Sequence, residues 1–140
     1  IPDEYYTVDT TKAKLVTEGE DLTIVTYGMG VHWAQKALQK NPEISAELID
    51  MRILLPWDKK TVEESVKKTG KLIILHEDTL TGGIGAEIAA YISEHCFSYL
   101  DAPVMRNASL DTPVPFAMTL EENFFQKDVF ERKLKELYGY

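Results

Sequence analysis

His76-Glu77, followed by Thr81-Gly82-Gly83, is the cluster in this sequence best suited to chemistry. An imidazole beside a carboxylate can move protons near neutral pH, and glycines a few residues on let the backbone approach a ligand closely. Two roles are open to it. His76, Glu77, Gly82 and Gly83 form the edge of a small-ligand site, or His76 ends a buried strand and bonds to a loop carbonyl. The second is the default for a histidine inside an apolar run. Gly83-Ile84-Gly85 has the spacing of a phosphate-binding turn, but the full fingerprint needs a third glycine where Ile88 stands. These glycines are therefore expected to serve close helix–sheet packing. His76-Glu77 does not begin a zinc-protease motif, because position 80 is Leu80. His95 and Cys96 are adjacent, which is not metal-ligand spacing. His32, beside Trp33, is expected to be a packed or surface histidine. No nucleophile elbow and no Walker loop occurs in the sequence.

The elements that position these residues follow from periodicity. Apolar runs at 22–27 (LTIVTY), 46–51 (AELIDM), 72–76 (LIILH) and 103–107 (PVMRN) predict core strands. A run at 13–17 (AKLVT) predicts an edge strand ahead of them. Between the strands lie helical stripes. Val31, Ala34, Ala37 and Leu38 form one; Val62 and Val66 form another, between an N-cap at Asp58 and a C-terminal Gly70; Ile84, Ile88, Ile92 and Cys96 form a third. A last helix is predicted over 127–137, with Phe130, Leu134 and Leu137 inward. The pairs Glu131/Lys135 and Arg132/Glu136 should add a few tenths of a kcal/mol each. Residues 111–118 (DTPVPFAM) predict an ordered loop. Strand alternating with helix implies a parallel sheet covered on both faces. Ligands gather at the carboxyl ends of such strands. Here those ends would carry Gly28-Met29-Gly30, Arg52, His76-Glu77 and Arg106-Asn107.

The chain has 140 residues, the size of one domain, and is expected to form a single domain over 1–140. Acids outnumber bases 23 to 15, for a net charge of −8. That balance argues against nucleic acid and against an anionic membrane surface, and leaves room for a basic protein partner. The acid-rich stretches Asp3-Glu4, 18–21 and Glu121-Glu122 read as solvated surface. A lone Cys96 allows no internal disulfide and fits a reducing compartment. No apolar run approaches the ~20 residues that span a bilayer. The opening Ile-Pro-Asp-Glu lacks an initiator Met and the features of a signal peptide, and reads as the start of a fragment of a longer chain.

Five blocks combine into a family pattern: 19–28 (GEDLTIVTYG), 49–58 (IDMRILLPWD), 65–77 (SVKKTGKLIILHE), 81–88 (TGGIGAEI) and 100–116 (LDAPVMRNASLDTPVPF). Over nearly its whole length the chain resembles the C-terminal domain of the β subunit of 2-oxoacid dehydrogenase E1 components, thiamine-diphosphate enzymes related to transketolase. Val31-His32, Pro56-Trp57-Asp58 and His76-Glu77 with Leu80-Thr81-Gly82-Gly83 look most like the branched-chain 2-oxoacid type. Pyruvate, acetoin and other transketolase-like enzymes are the alternatives.

The resemblance implies a three-layer α/β/α domain with a five-stranded, mostly parallel mixed sheet of transketolase C-terminal type. It implies that the intact oxidoreductase decarboxylates a 2-oxoacid in branched-chain amino acid degradation and passes the acyl group to lipoyl groups of E2. Thiamine diphosphate and Mg²⁺ would be held elsewhere in the parent, through a Gly-Asp-Gly…Asn motif that this sequence lacks. The isolated domain would then hold no catalytic, cofactor or metal residue and be inactive. The implied partners are an E1 α part, a second β part across a two-fold axis, and the basic peripheral subunit-binding domain of E2. Asp101, before Ala102-Pro103, and Tyr140, at the last helix's end, are the docking residues the resemblance points to. A turn or cap role for Asp101 is the alternative. A bacterial cytoplasm is expected ahead of a mitochondrial matrix. The rival to all of this is a free-standing ligand-binding module around His76-Glu77.

Overall fold

A computed structural model describes residues 3–140; Ile1 and Pro2, part of the opening discussed above, lie outside the described residues. Five strands form one sheet: β1 (Lys14–Thr17), β2 (Leu22–Thr26), β3 (Ala46–Asp50), β4 (Leu72–Thr79) and β5 (Met105–Ser109). Their spatial order is β1-β3-β2-β4-β5. β1 runs antiparallel to β3, and the other neighbours are parallel. The helices are α1 (Met29–Lys40), α2 (Lys59–Thr69), α3 (Ile84–His95), α4 (Met118–Phe124) and α5 (Lys127–Tyr138), with a 3-10 turn at Phe97–Tyr99.

Strand alternation sorts the apolar side chains onto two faces. Leu22, Ile24, Leu48, Ile73 and Leu75 meet Trp33 and Ala34 of α1 and Phe130 and Leu134 of α5. Val25, Ile49, Leu72 and Ile74 meet Val62 and Val66 of α2, Ile88 and Ile92 of α3, and Cys96. Two separate apolar layers therefore enclose the sheet, as an α/β/α sandwich requires. Each fully buried Leu, Ile or Val adds roughly 1.5–3 kcal/mol by leaving water. A short hydroxyl chain lies within the second layer. Thr23 Oγ1 sits 2.7 Å from both Ser65 Oγ and Thr69 Oγ1, so β2 and α2 satisfy each other's buried polar groups.

Several bounds differ from the sequence expectations. β4 runs three residues beyond His76, to Thr79, where Ser109 of β5 gives it a partner. β5 begins at Met105 rather than at position 103, because Pro103 has no N–H to pair and delays the ladder. Arg106-Asn107 consequently lies within the strand, not at its carboxyl end. α4, which the sequence expectations left unassigned, begins at Met118, the last residue of the stretch expected to be loop. Of the two expected ion pairs on α5, Glu131–Lys135 is present at 3.2 Å, and Glu131 also takes Lys40. No Arg132–Glu136 ion pair occurs among the described residues. Those two side chains are exposed, where holding an ion pair gains little over water.

Asp58 links local to long-range order. Its carboxylate accepts from Thr61 N–H (3.2 Å) and Thr61 Oγ1 (2.7 Å), capping α2, and from Ala13 N–H (3.1 Å), tying down the approach to β1. Asp58→Ala removes the cap and that tie together and should cost about 1–2 kcal/mol, read as a lower urea midpoint with an unchanged m-value. A midpoint equal to wild type would show that water replaces the cap at no cost.

Candidate functional site

The crevice where an open α/β sheet ordinarily takes a ligand lies at the strand carboxyl ends where the chain order reverses, here between β2 and β4. The chain's own side chains close it. Tyr27, just past β2, stacks on His76 of β4 with ring centroids 6.1 Å apart and planes 13° from parallel. Glu77 turns the other way, and its Oε2 accepts from Met29 N–H at the start of α1 (3.3 Å). A carboxylate there suits the positive end of the helix dipole. Glu77 is thus a partner of α1 and not of the imidazole beside it in sequence.

His76 is wholly buried. Its Nδ1 lies 3.2 Å from the Asp78 carbonyl oxygen, a carbonyl two residues along the same strand. Its Nε2 has no partner. Gly83 and Gly85 lie directly over the ring: a Cβ on either would collide with imidazole atoms, and one on Gly83 also with Thr79 O. The two glycines therefore admit α3 to the sheet at a height no other residue allows, as expected from the broken fingerprint. The structure does not bring the four candidate edge residues together on a surface. Gly82 is exposed, at φ +82, and Glu77 partly exposed, whereas His76 and Gly83 are inside. Burial pushes the His76 imidazole below its ordinary pKa, outweighing the Asp78 carbonyl and carboxylate that favour the proton. The ring is a neutral packing element.

Asp101 and Tyr140 share one surface feature. Both line an open groove of about 710 Å³. Asp101 N–H donates to Gly70 O (2.8 Å), and the Asp101 carboxylate covers the αL glycine that ends α2. Lys71 Nζ donates to Tyr138 O (3.0 Å), which holds the end of α5 against the start of β4. Adjacent residues 70 and 71 thus anchor one wall each. The groove floor is Ala86, Ala89, Ala90 and Ser93 on the outward face of α3, with Phe97 and Pro103 beside it. The sequence reading missed this floor, although its signal was available as small residues at positions 86, 89, 90 and 93, one face of a helix. Phe97 is 73% exposed, a large apolar group left in water at the groove's rim. Among the described residues no group of three or more His, Cys, Asp or Glu could hold a metal ion, and no helix is long and apolar enough to cross a membrane.

Comparison with known proteins agrees with this architecture. The family "Transketolase, C-terminal domain" matches residues 11–128. The chain is 48% identical over 117 residues to 2-oxoisovalerate dehydrogenase subunit beta 2, mitochondrial, of Arabidopsis thaliana, covering 82% of this chain and 33% of that protein. It is 41% identical over 141 residues to the 2-oxoisovalerate dehydrogenase subunit beta of Bacillus subtilis, covering 98% and 43%. It is 47% identical over 124 residues to a chloroplastic pyruvate dehydrogenase E1 component subunit beta-2 of Arabidopsis thaliana, covering 87% and 30%. The chain thus spans less than half the length of these relatives. Among solved structures, the inactive β4 tetramer of a split-gene transketolase superposes with a TM-score of 0.77 at 25% identity, over 99% of this chain and 44% of that one.

The buried imidazole sets a pH dependence of stability. The folded chain holds His76 with a depressed pKa, whereas the unfolded chain takes up the proton at the ordinary value of 6.5. Stability is therefore fully present above that value and declines as pH falls below it, since only the unfolded state gains the proton. Urea midpoints should fall between about pH 7 and about pH 5, above the range where carboxylates begin to titrate. His76→Gln should be less stable at neutral pH and should lose much of that slope. An unchanged slope in the variant would place the titration on another residue.

Proposed function

The chain belongs to the transketolase C-terminal domain family, and from that premise we propose that it is the C-terminal domain of a 2-oxoacid dehydrogenase E1 β subunit. The observation that carries this is the match to the Bacillus subtilis subunit across 98% of the chain. The branched-chain type is favoured by the two 2-oxoisovalerate relatives. The 47% identity to a pyruvate E1 β subunit supports the pyruvate type as the second reading. The intact enzyme would decarboxylate a 2-oxoacid and pass the acyl group to lipoyl-E2. Thiamine diphosphate would supply the carbanion chemistry. The sequence has no Gly-Asp-Gly segment, and among the described residues no group of three or more His, Cys, Asp or Glu could hold its Mg²⁺, so that cofactor would be held elsewhere in the parent. The domain's own work is assembly and docking.

The groove suits both. Its α3 floor of small residues lets another backbone come close, and exposed Phe97 offers an anchor for a second β domain across a two-fold axis. The β-only tetramer of the split-gene transketolase supports self-association of such chains without their partner. Asp101 and Tyr140 at the groove's end supply acceptors for the Arg or Lys side chains of an E2 peripheral subunit-binding domain. Charge-assisted bonds of this kind are shorter and roughly twice as strong as neutral ones. The net charge of −8 would steer a basic partner inward.

In an assembled E1, Asp101→Asn should weaken E2-domain binding by about tenfold, the loss of a desolvated pair worth ~1.5 kcal/mol, mainly through a faster off-rate in surface plasmon resonance. The wild-type on-rate should fall as salt rises. Tyr140→Ala should also weaken binding, by removing a residue that lines the same groove. Wild-type affinity in both altered proteins at low salt would remove the docking assignment and leave Asp101 as the residue that covers Gly70.

A further inference from the structure

A second, smaller cavity of about 220 Å³ lies between the end of β5 and the start of α5, away from the groove. Three kinds of donor belong to its lining. The first is the N-terminus of α5. Its cap residue Gln126 is in αL conformation and offers no side-chain bond, and the first backbone bond at that end is Phe130 N–H to Gln126 O. The preceding N–H groups of the first turn lack intrahelical acceptors, and Gln126 and Val129 bring that turn to the cavity wall. The second is Ser109. Its residue is 1% exposed, it lines the cavity, and its hydroxyl has no hydrogen-bond partner. The third is Lys133. Its ammonium donates only to the Arg106 carbonyl oxygen and forms no ion pair among the described residues. Burial, with the Arg132 and Arg106 charges, pulls Lys133 below its ordinary pKa against the opposing pull of Glu136.

We propose that this cavity binds a small monocarboxylate with a short aliphatic tail. The helix N-terminus, the Lys133 ammonium and the Ser109 hydroxyl form a complementary set for a carboxylate head. The remaining walls, Leu80, Leu110, Val129 and Ala108, are apolar and suit a few carbons. A single negative charge is favoured over a phosphate dianion. Lys133 is the one basic residue of the cavity lining, and Asp111 lines it as well, its carboxylate taken up by Thr81 N–H (2.9 Å) and Thr81 Oγ1 (2.6 Å). Asp128, in the first turn of α5, adds a further negative charge nearby from a separate hollow. The cavity is built before any ligand arrives. Leu110 N–H donates to Phe124 O (3.2 Å) and Asn107 Nδ2 to Gln126 O (3.2 Å), so β5 and the α4–α5 turn are already joined around it. The proposal goes beyond the docking and assembly roles and does not depend on them.

The test is a ¹H–¹⁵N NMR titration of the 140-residue chain with isobutyrate, alongside isobutyramide, which has the same shape without the charge, and inorganic phosphate. Isobutyrate should give saturable shifts centred on Ser109, Leu110, Asp128 and Val129, and isobutyramide should not. Lys133→Met should weaken binding by about tenfold or more, and Ser109→Ala by a few-fold. Ser109→Ala removes one atom and leaves the Lys133 contact in place, so it decides the matter should Lys133→Met unfold. Isobutyrate shifts that are absent, that lie elsewhere or that persist at full strength in Ser109→Ala and Lys133→Met overturn the site. Equal binding of isobutyramide overturns the charge recognition, and tighter binding of phosphate overturns the carboxylate assignment. Each of these results leaves the family and docking roles standing.

Discussion

The contact between a neutral imidazole on β4 and two glycines at the head of α3 sets the height at which that helix rides on the sheet. His76 is buried with one nitrogen unpartnered, an arrangement that costs on the order of 1–3 kcal/mol. The ring is kept in place by what surrounds it, with Tyr27 stacked on one side and the Gly83–Gly85 backbone above. Every larger residue at either glycine meets the ring, so the sequence of this turn is constrained by volume. The same contact fills the place where an open α/β sheet would hold a small molecule. Between β2 and β4 the sheet is thereby given over to packing.

The fold was legible in the sequence because its strands and helices have unmistakable periods. Leu22, Ile24, Val25 and Ile73–Leu75 form runs too apolar for any strand with a wet face, and Asp58 and Gly70 mark the ends of α2 as their types suggest. The errors fell where the signal was local and the cause was not. The extension of β4 to Thr79 depends on a partner 30 residues further on, at Ser109, which no period reveals. The late start of β5 was foreseeable from Pro103. The helix α4 overlaps the stretch expected to be loop only at Met118, and its remaining six residues follow the prolines Pro113 and Pro115 without a helical stripe long enough to mark them.

The candidate sites were legible more unevenly. His76-Glu77 is conspicuous as a pair, yet adjacent strand residues point to opposite faces. Their side chains part company, one into the α3 layer and one onto the head of α1. Adjacency in sequence therefore argued against cooperation once a strand had been assigned. Asp101 and Tyr140 show the opposite case. They are 39 residues apart and nothing local relates them. They share a groove because Gly70 and Lys71, neighbours at the α2–β4 turn, bind the Asp101 backbone and the Tyr138 carbonyl respectively. The cavity beside Lys133 was invisible for a similar reason, since the lone donors that define it come from β5 and α5 and have no motif.

α3 carries both consequences at once. Its inward residues Gly85, Ile88 and Ile92 are fixed by His76 and the apolar layer. Its outward residues Ala86, Ala89, Ala90 and Ser93 are the groove floor. A rigid helix transmits a displacement of one face to the other, because interiors packed at crystal density do not absorb it. The position of the groove floor is therefore set by an internal histidine that does not itself line the groove. This explains how His76 and the glycines above it can be tightly specified in a domain whose proposed work is done on its surface. The constraint on the His-Gly contact is structural in mechanism, and its effect reaches the groove floor through the helix between them.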